Sequence, residues 1–349
     1  MKIDTKKALI VSPYLDHLGG GERYMLSIAS ALESLNYQVT FSWDNIEEIN
    51  KLAAMLGITL QDPAIDQRVM SLYHSKNPMA MYLASRRYDL TVYLSDGSLP
   101  LLGSRKNLIH MQVPFHNVGG NSFKNKFKKR FFNDIIVNSQ FTKKIIDQEF
   151  GVNSTVLYPP VQLVEVKKAK EKIILSVGRF EPSLNTKKQD ILIEAFRIFS
   201  PKFPEWKLVL AGASTSDEWI NRLREMAVGL PIEFAINATH GDLNDLYARS
   251  TVYWHAAGYG INEAKNPELT EHFGISCVEA ISAGCAPFVV GKGGQPEIVS
   301  DISYHWETPS DLAIKTAAWI NSPRAIPTFA TDYSLKAFTN QLSTLLQKI

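Results

Sequence analysis

Residues 158–180 read YPPVQLVEVKKAKEKIILSVGRF, and the fold turns on what this stretch separates. After the YPPV turn, VEVKKAKEK is charged and lacks apolar periodicity, as a link between domains does. KIILSVG then begins a new series of strand-like runs. Before the link, KKALIVSPY, YQVTFSW, DLTVYLS, NLIHMQV, DIIVNS and STVLYPP alternate with helix-period segments such as GERYMLSIASALESL and QFTKKIIDQEF. Beyond it, KIILSVG, WKLVLAG, PIEFAI, TVYWHAA and CAPFVVG alternate with segments such as KKQDILIEAFRIFS. Strands separated by covering helices form parallel sheets, so the spacing predicts an α/β chain of two Rossmann-like, doubly wound domains, 1–165 and 166–325. The final segment, 326–349, has helical spacing and no following strand, so it caps one domain or crosses back to the first. Tandem domains of this kind bind ligands in the cleft between them, at the carboxyl ends of the strands.

Composition agrees with two domains: 349 residues, 45% of them hydrophobic, can bury two cores. With 37 basic against 35 acidic side chains, nothing in the total charge suggests nucleic acid, and any basic surface must be local. Cys277 and Cys285 sit in an apolar run and read as buried thiols rather than as a disulfide or metal site. MKIDTKKALIVSPY has no apolar leader, and no run reaches the ~18 apolar residues of a membrane span. The expectation is a cytoplasmic, non-spanning protein.

Three stretches carry chemistry. Gly19, Gly20 and Gly21 lie between the first strand and a helix, where bare backbone and free N–H groups suit an anion, although a tight turn alone would also explain them. Gly178 and Arg179 follow the first strand of the second half, and Lys187 and Lys188 precede its helix. Cations oppose the usual charge preference of a helix start, and a bound anion such as a diphosphate resolves the conflict. In EHFGISCVEAISAG, Glu271 and Glu279 are eight residues apart. A helical path would separate them by about 12 Å, beyond the ~5–9.5 Å of glycosidase carboxylate pairs. They read better as holding than as hydrolysing: Glu279 on a ribose, Glu271 on a second hydroxylated group, and the N–H groups of Phe273, Gly274, Ile275 and Ser276 on the phosphate between. Sugar, diphosphate and ribose in that order make a nucleotide-sugar.

These motifs together resemble glycosyltransferase family 4, retaining enzymes of the GT-B fold. The resemblance rests on GGGER, NSQFTKK, VLYPPV, Gly178-Arg179, Lys188-Gln189, EHFGISCVEAISAG and GGQPEIV, in that order along nearly the whole chain. It implies that Glu271 contacts the donor sugar and Glu279 the ribose, that Arg179 and Lys188 hold the diphosphate, and that Gly20 and Gly21 line the donor site. His110, in NLIHMQVPF, matches a family position near the reacting sugar. EPSLNTK makes the spacing after Arg179 longer than the common one, which leaves Lys187 and Lys188 both open for the diphosphate. The polar loop YWHAAGYGINEAKNPELTEHFG resembles a subgroup acting on lipid-linked or polysaccharide acceptors, many of whose members transfer mannose.

The implied activity is transfer of a sugar, with mannose weakly favoured, from a GDP- or UDP-sugar to an acceptor hydroxyl with retention of configuration. Arg179, Lys188 and the helix start would supply the charge that a metal ion otherwise would, so no metal or other cofactor is expected. The alternatives are a GT-B nucleotide-sugar epimerase and a non-catalytic nucleotide-sugar-binding subunit. Finally, NSFKNKFKKRFFND places Phe123, Phe127 and Phe131 at helical spacing among Lys124, Lys126, Lys128, Lys129 and Arg130. The stripe suits either a packed core face or an anionic membrane surface at 123–132, and the local excess of cations favours a peripheral position at the inner face of the membrane.

Overall fold

The computed structural model of the chain describes residues 5–15, 19–75, 77–164, 168–181, 186–214 and 216–349, and among them two parallel sheets form. The chain divides into two compact units, residues 1–160 with 333–349, and residues 161–332. Both are Rossmann-like α/β units, as the alternating runs predict.

In the first unit the strands are β1 (Lys6–Val11), β2 (Tyr37–Phe41), β3 (Ala64–Ile65), β4 (Leu90–Leu94), β5 (Lys106–Met111), β6 (Asp134–Val137) and β7 (Thr155–Val156), in the order β3-β2-β1-β4-β5-β6-β7. The helices are α1 (Gly20–Ser34), α2 (Ile46–Met55), α3 (Gln67–Ser75), α4 (Pro78–Ser85), α5 (Phe123–Lys128) and α6 (Gln140–Phe150). All five residues of β4, LTVYL, are buried, because helices cover both faces of a parallel sheet and leave no polar side for alternation.

The second unit orders its strands β10-β9-β8-β11-β12-β13: β8 (Glu171–Val177), β9 (Lys207–Gly212), β10 (Ile232–Ile236), β11 (Ser250–His255), β12 (Ala286–Val290) and β13 (His305–Trp306). Its helices are α7 (Gln189–Phe199), α8 (Asp217–Met226), α9 (His240–Arg249), α10 (Ile275–Ser282), α11 (Gln295–Ile298) and α12 (Pro309–Asn321). In both sheets the strand order reverses beside the first strand, and the carboxyl ends there are where such folds bind ligands.

Helix α13 (Leu335–Lys348) belongs to the first unit. Phe338, Leu342, Leu345 and Leu346 share a core with Met25 and Leu32 of α1, and Phe338 packs edge-on to Tyr24 with ring centroids 5.7 Å apart. The units divide at 160/161 and 332/333 rather than at the expected 165/166 and 325/326. The cause of the first shift is local: Val161 and Val164 are buried, and the Val164 N–H donates to Ser282 Oγ at 3.0 Å, which ties this stretch to the second unit. Residues 165–167 of the charged link lie outside the described residues.

Candidate functional site

The second unit gathers its polar groups at the carboxyl ends of β8 and β11. Gly178 and Arg179 follow β8. A Cβ on Gly178 would lie 2.8 Å from Lys187 Cγ, so glycine lets the lysine pass close against the turn. The buried Gln189 fixes the turn by donating from Nε2 to Gly178 O (3.3 Å) and Arg179 O (3.0 Å), leaving the Arg179 side chain exposed. Residues 182–185, between Arg179 and Lys187, lie outside the described residues.

Glu271, on the loop before α10, receives two donors on one oxygen. Lys187 Nζ lies 2.6 Å and His255 Nε2 2.9 Å from Glu271 Oε2. Burial by itself would push this carboxyl up. The Lys187 charge and the His255 bond more than reverse it, holding Glu271 well below the usual carboxylate range. His255, the last residue of β11, is itself buried, and burial lowers its pKa against the raising influence of Glu271. The imidazole is therefore neutral at ordinary pH.

Two glycines explain how the backbone comes so close here. Gly293 has φ 65°, and a Cβ there would fall 2.2 Å from Glu271 O; one on Gly294 would fall 2.5 Å from His272 O. Only glycine fits either place, and the Gly294 N–H donates to Glu271 O at 2.7 Å. The next residue, Gln295, lies under Gly274, where a Cβ would meet Gln295 Nε2 at 2.6 Å. Gly274 is the N-cap of α10, with φ 116° and no side-chain cap. The first N–H groups of α10 are thus available to a bound anion, with Phe273 buried behind them. Ser276 Oγ accepts from Tyr253 OH at 2.8 Å. One turn on, Glu279 is 7% exposed and its Oε2 accepts from Tyr247 OH at 2.9 Å.

The structure brings Lys187 onto Glu271, places Glu271, Phe273 and Gly274 just before Ile275, Ser276 and Glu279 of α10, and leaves Arg179 exposed after β8. Between the two lysines that the sequence leaves open, it is Lys187 that reaches Glu271. Lys188 is the N-cap of α7 with a left-handed backbone, φ 52°, a conformation that suits glycine better than lysine. Gly20 and Gly21 open α1 in the first unit, and a Cβ on Gly21 would lie 2.9 Å from Gln112 Oε1; Asp16, His17 and Leu18 just before them lie outside the described residues.

His110 belongs to the first unit. It lies within β5, in register with Leu94 and Ile136 of the neighbouring strands, and has no exposed surface. Its ring stacks on Tyr24 at 4.0 Å, and its Nδ1 lies 3.2 Å from Ile136 O. Burial brings its pKa down to about 4. The ring is thus buried between a strand and α1.

The 123–132 segment also differs from a continuous helix. Helix α5 ends at Lys128, and residues 129–131 form a 3₁₀ turn. Phe123 is 91% and Phe127 52% exposed, which removes the core-face reading for this pair. Phe131 instead packs on Phe127 (5.3 Å) and Tyr82 (5.8 Å). Lys128 and Lys129 donate to the carbonyls of Leu99 and Phe150, so they serve the fold, while Lys124 and Lys126 flank the exposed aromatics. No helix of the described residues is long and apolar enough to cross a membrane.

His255, Gln295, Tyr247 and the Gly293-Gly294 pair carry the site but not the sequence argument. The string GGQPEIV contains the glycine pair but gives it no physical role. A histidine ending the apolar run TVYWH is the signal that could have found His255.

Several known proteins resemble this chain. Residues 163–324 match the family model described as Glycosyl transferases group 1. The GDP-Man:Man(3)GlcNAc(2)-PP-Dol alpha-1,2-mannosyltransferase of Dictyostelium discoideum is 28% identical over 197 residues, 50% of this chain and 36% of its own length. This and the corresponding proteins of Xenopus, mouse and human are matched over only 34–46% of their own lengths. Among solved structures, the pneumococcal O-GlcNAc transferase GtfA in complex with UDP and GlcNAc superposes with TM-score 0.72 at 10% identity, covering 99% of both chains. A glycosyltransferase from Rickettsia africae gives 0.70 at 16% identity, covering 99% of this chain and 98% of its own. The chain has the GT-B fold: two Rossmann-like parallel-sheet units, shared along its whole length with glycosyltransferases.

Proposed function

We propose that the chain is a retaining glycosyltransferase that takes its sugar, mannose by preference, from a nucleotide-diphospho donor and passes it to a hydroxyl of a glycan or lipid-linked acceptor. The observation that carries this reading is the second-unit cluster: Glu271 held by Lys187 and His255 beside the uncapped start of α10, with Glu279 one turn further on. A sugar hydroxyl on Glu271, a diphosphate against Arg179, Lys187 and the α10 N–H groups, and a ribose on Glu279 would use every one of these groups. The match of 163–324 to the glycosyl transferase model and the GDP-Man named for the mannosyltransferase relatives support the class and the sugar.

In this mechanism the bond from the sugar's anomeric carbon to the diphosphate oxygen breaks and the acceptor oxygen attaches on the same face. The acceptor proton passes to the leaving diphosphate. Arg179, Lys187 and the helix start stabilise the charge that develops on the leaving group, and no metal ion is needed for that role. An epimerase would release rearranged sugar without an acceptor, and a binding subunit would release none.

The segment around α5 supports a peripheral place on an anionic membrane. Exposed Phe123 and Phe127 offer apolar wedges and Lys124 and Lys126 offer charge, worth about 1 kcal/mol for each cation at an anionic leaflet.

The test is a panel of GDP- and UDP-sugars scored by thermal shift, followed by incubation of the best donor with candidate acceptors and assignment of the anomeric configuration of the product. GDP-mannose is expected to stabilise the protein most and to give an α-linked product. Absence of any nucleotide-sugar stabilisation would defeat the reading, and an inverted linkage would defeat retention.

A further inference from the structure

Beyond the donor contacts themselves, one buried chain of side chains ends on Glu271. Gln295 is fully buried, and its Nε2 lies 3.5 Å from His255 Nδ1. His255 Nε2 lies 2.9 Å from Glu271 Oε2. An ionised carboxylate only accepts, so His255 must carry its proton on Nε2, and a neutral imidazole then has only a lone pair on Nδ1. The amide of Gln295 must therefore present its NH₂ to Nδ1, since its oxygen would oppose that lone pair. Lys187 meets Glu271 on the same Oε2, and among the described residues no donor reaches Oε1.

We infer that His255 is a positioning residue for Glu271: Gln295 selects the imidazole nitrogen that carries the proton, and that proton aims the carboxylate so that Oε1 serves a hydroxyl of the donor sugar. This rests on the proposed transferase reading and deepens it. Lys187 has a second task in that reading, the diphosphate, and its ammonium can turn towards phosphate oxygens. His255 is rigid in the sheet, its carbonyl accepting from Trp306 Nε1 at 3.2 Å, and it keeps its hold on Glu271 as Lys187 turns. The charged and titratable groups facing the ring are Glu271 and Lys187 on the Nε2 side and Tyr253 on its own strand, ring centroids 6.3 Å apart. On the Nδ1 side stands the neutral Gln295 amide.

The experiment compares GDP-mannose with GDP, because Glu271 touches only the sugar. His255→Ala is expected to weaken GDP-mannose about 10-fold or more while leaving GDP within about twofold, and His255→Gln, whose NH₂ can stand where Nε2–H stood, should recover part of the loss. Gln295→Glu supplies the tautomer test. Its carboxylate draws the proton to Nδ1 and leaves the Nε2 lone pair facing Glu271, so preference for the sugar is lost at high pH. It returns as pH falls and the ring becomes doubly protonated. Equal loss of GDP and GDP-mannose in His255→Ala would make His255 merely structural, and a pH-independent Gln295→Glu would overturn the tautomer argument. Wild-type protein that binds neither ligand would bring down the transferase reading and this inference together, whereas normal wild-type binding with an unaffected His255→Ala brings down the inference alone.

Discussion

Replacing Lys187 by methionine, and separately Lys188 by glycine, separates the two adjacent lysines. The Lys187–Glu271 pair is 2.6 Å long with side chains 26% and 16% exposed. Breaking a buried pair costs about 3–5 kcal/mol and an exposed one about 0–1, so Lys187→Met should lose about 2 kcal/mol of stability in urea at pH 7. The sign with pH is fixed by Glu271, whose folded-state carboxyl is held below its unfolded value. That stability is present above the unfolded carboxyl value of about 4.3 and fades as pH falls towards the folded one, so the two midpoints should converge below about pH 4. The same variant should weaken GDP-mannose about 10- to 100-fold, the worth of one charged hydrogen bond. Lys188→Gly should bind donor within about threefold of wild type. Releasing lysine from φ 52° returns about 1–2 kcal/mol, offset in part by about 0.4–1 kcal/mol of added unfolded-chain freedom. The reasoning is refuted if Lys188→Gly loses donor binding while Lys187→Met retains it.

Glu279→Gln removes an acceptor-only group from Tyr247 and the ribose position, and calorimetry should find both GDP and GDP-mannose weakened, the contrary of the His255 pattern. Gly293→Ala must open the 2.2 Å approach to Glu271 O at φ 65°; a thermal melt should show it destabilised by about 2 kcal/mol or more, and unchanged melting would mean the loop yields freely. Activity should persist in a chelator, and a strict need for Mn²⁺ or Mg²⁺ would displace Arg179 and Lys187 from the leaving-group role. In vesicle sedimentation at low salt, Phe123→Ser with Lys124→Glu and Lys126→Glu should release the protein from anionic lipid while its melting temperature stays; a wild type that ignores such vesicles ends the membrane proposal.

The long buried strands were legible because burial on both faces leaves an unbroken apolar run, as in LTVYL of β4. Of the three two-residue edge strands among the described residues, Thr155–Val156 sits in the apolar run STVLYPP that marks it, whereas no strand-like run was read at Ala64–Ile65 or His305–Trp306. The second-unit cluster was legible in part as residue types at set spacings: Arg179 follows β8, Glu271 precedes α10 and Glu279 lies on it. The contact of His255 with Glu271 was not legible. His110 and His255 both stand near the end of an apolar strand, but Met111 continues β5 past His110, whereas β11 stops at His255. One residue of strand length separates a ring sealed in a core from one that meets a carboxylate. The left-handed Lys188 was equally hidden, because nothing in KKQD marks a lysine for that conformation.

Helix α13 makes the first unit discontinuous in sequence, since the whole second unit is inserted between Pro160 and Tyr333. During synthesis the second unit can therefore close its core first, while Met25, Leu32 and the rest of the α1 face wait for Phe338, Leu342, Leu345 and Leu346. A chimera that exchanges residues 1–160 alone would join one protein's α1 to another's α13 and mismatch that core. To graft the first unit from a relative, both pieces must travel together.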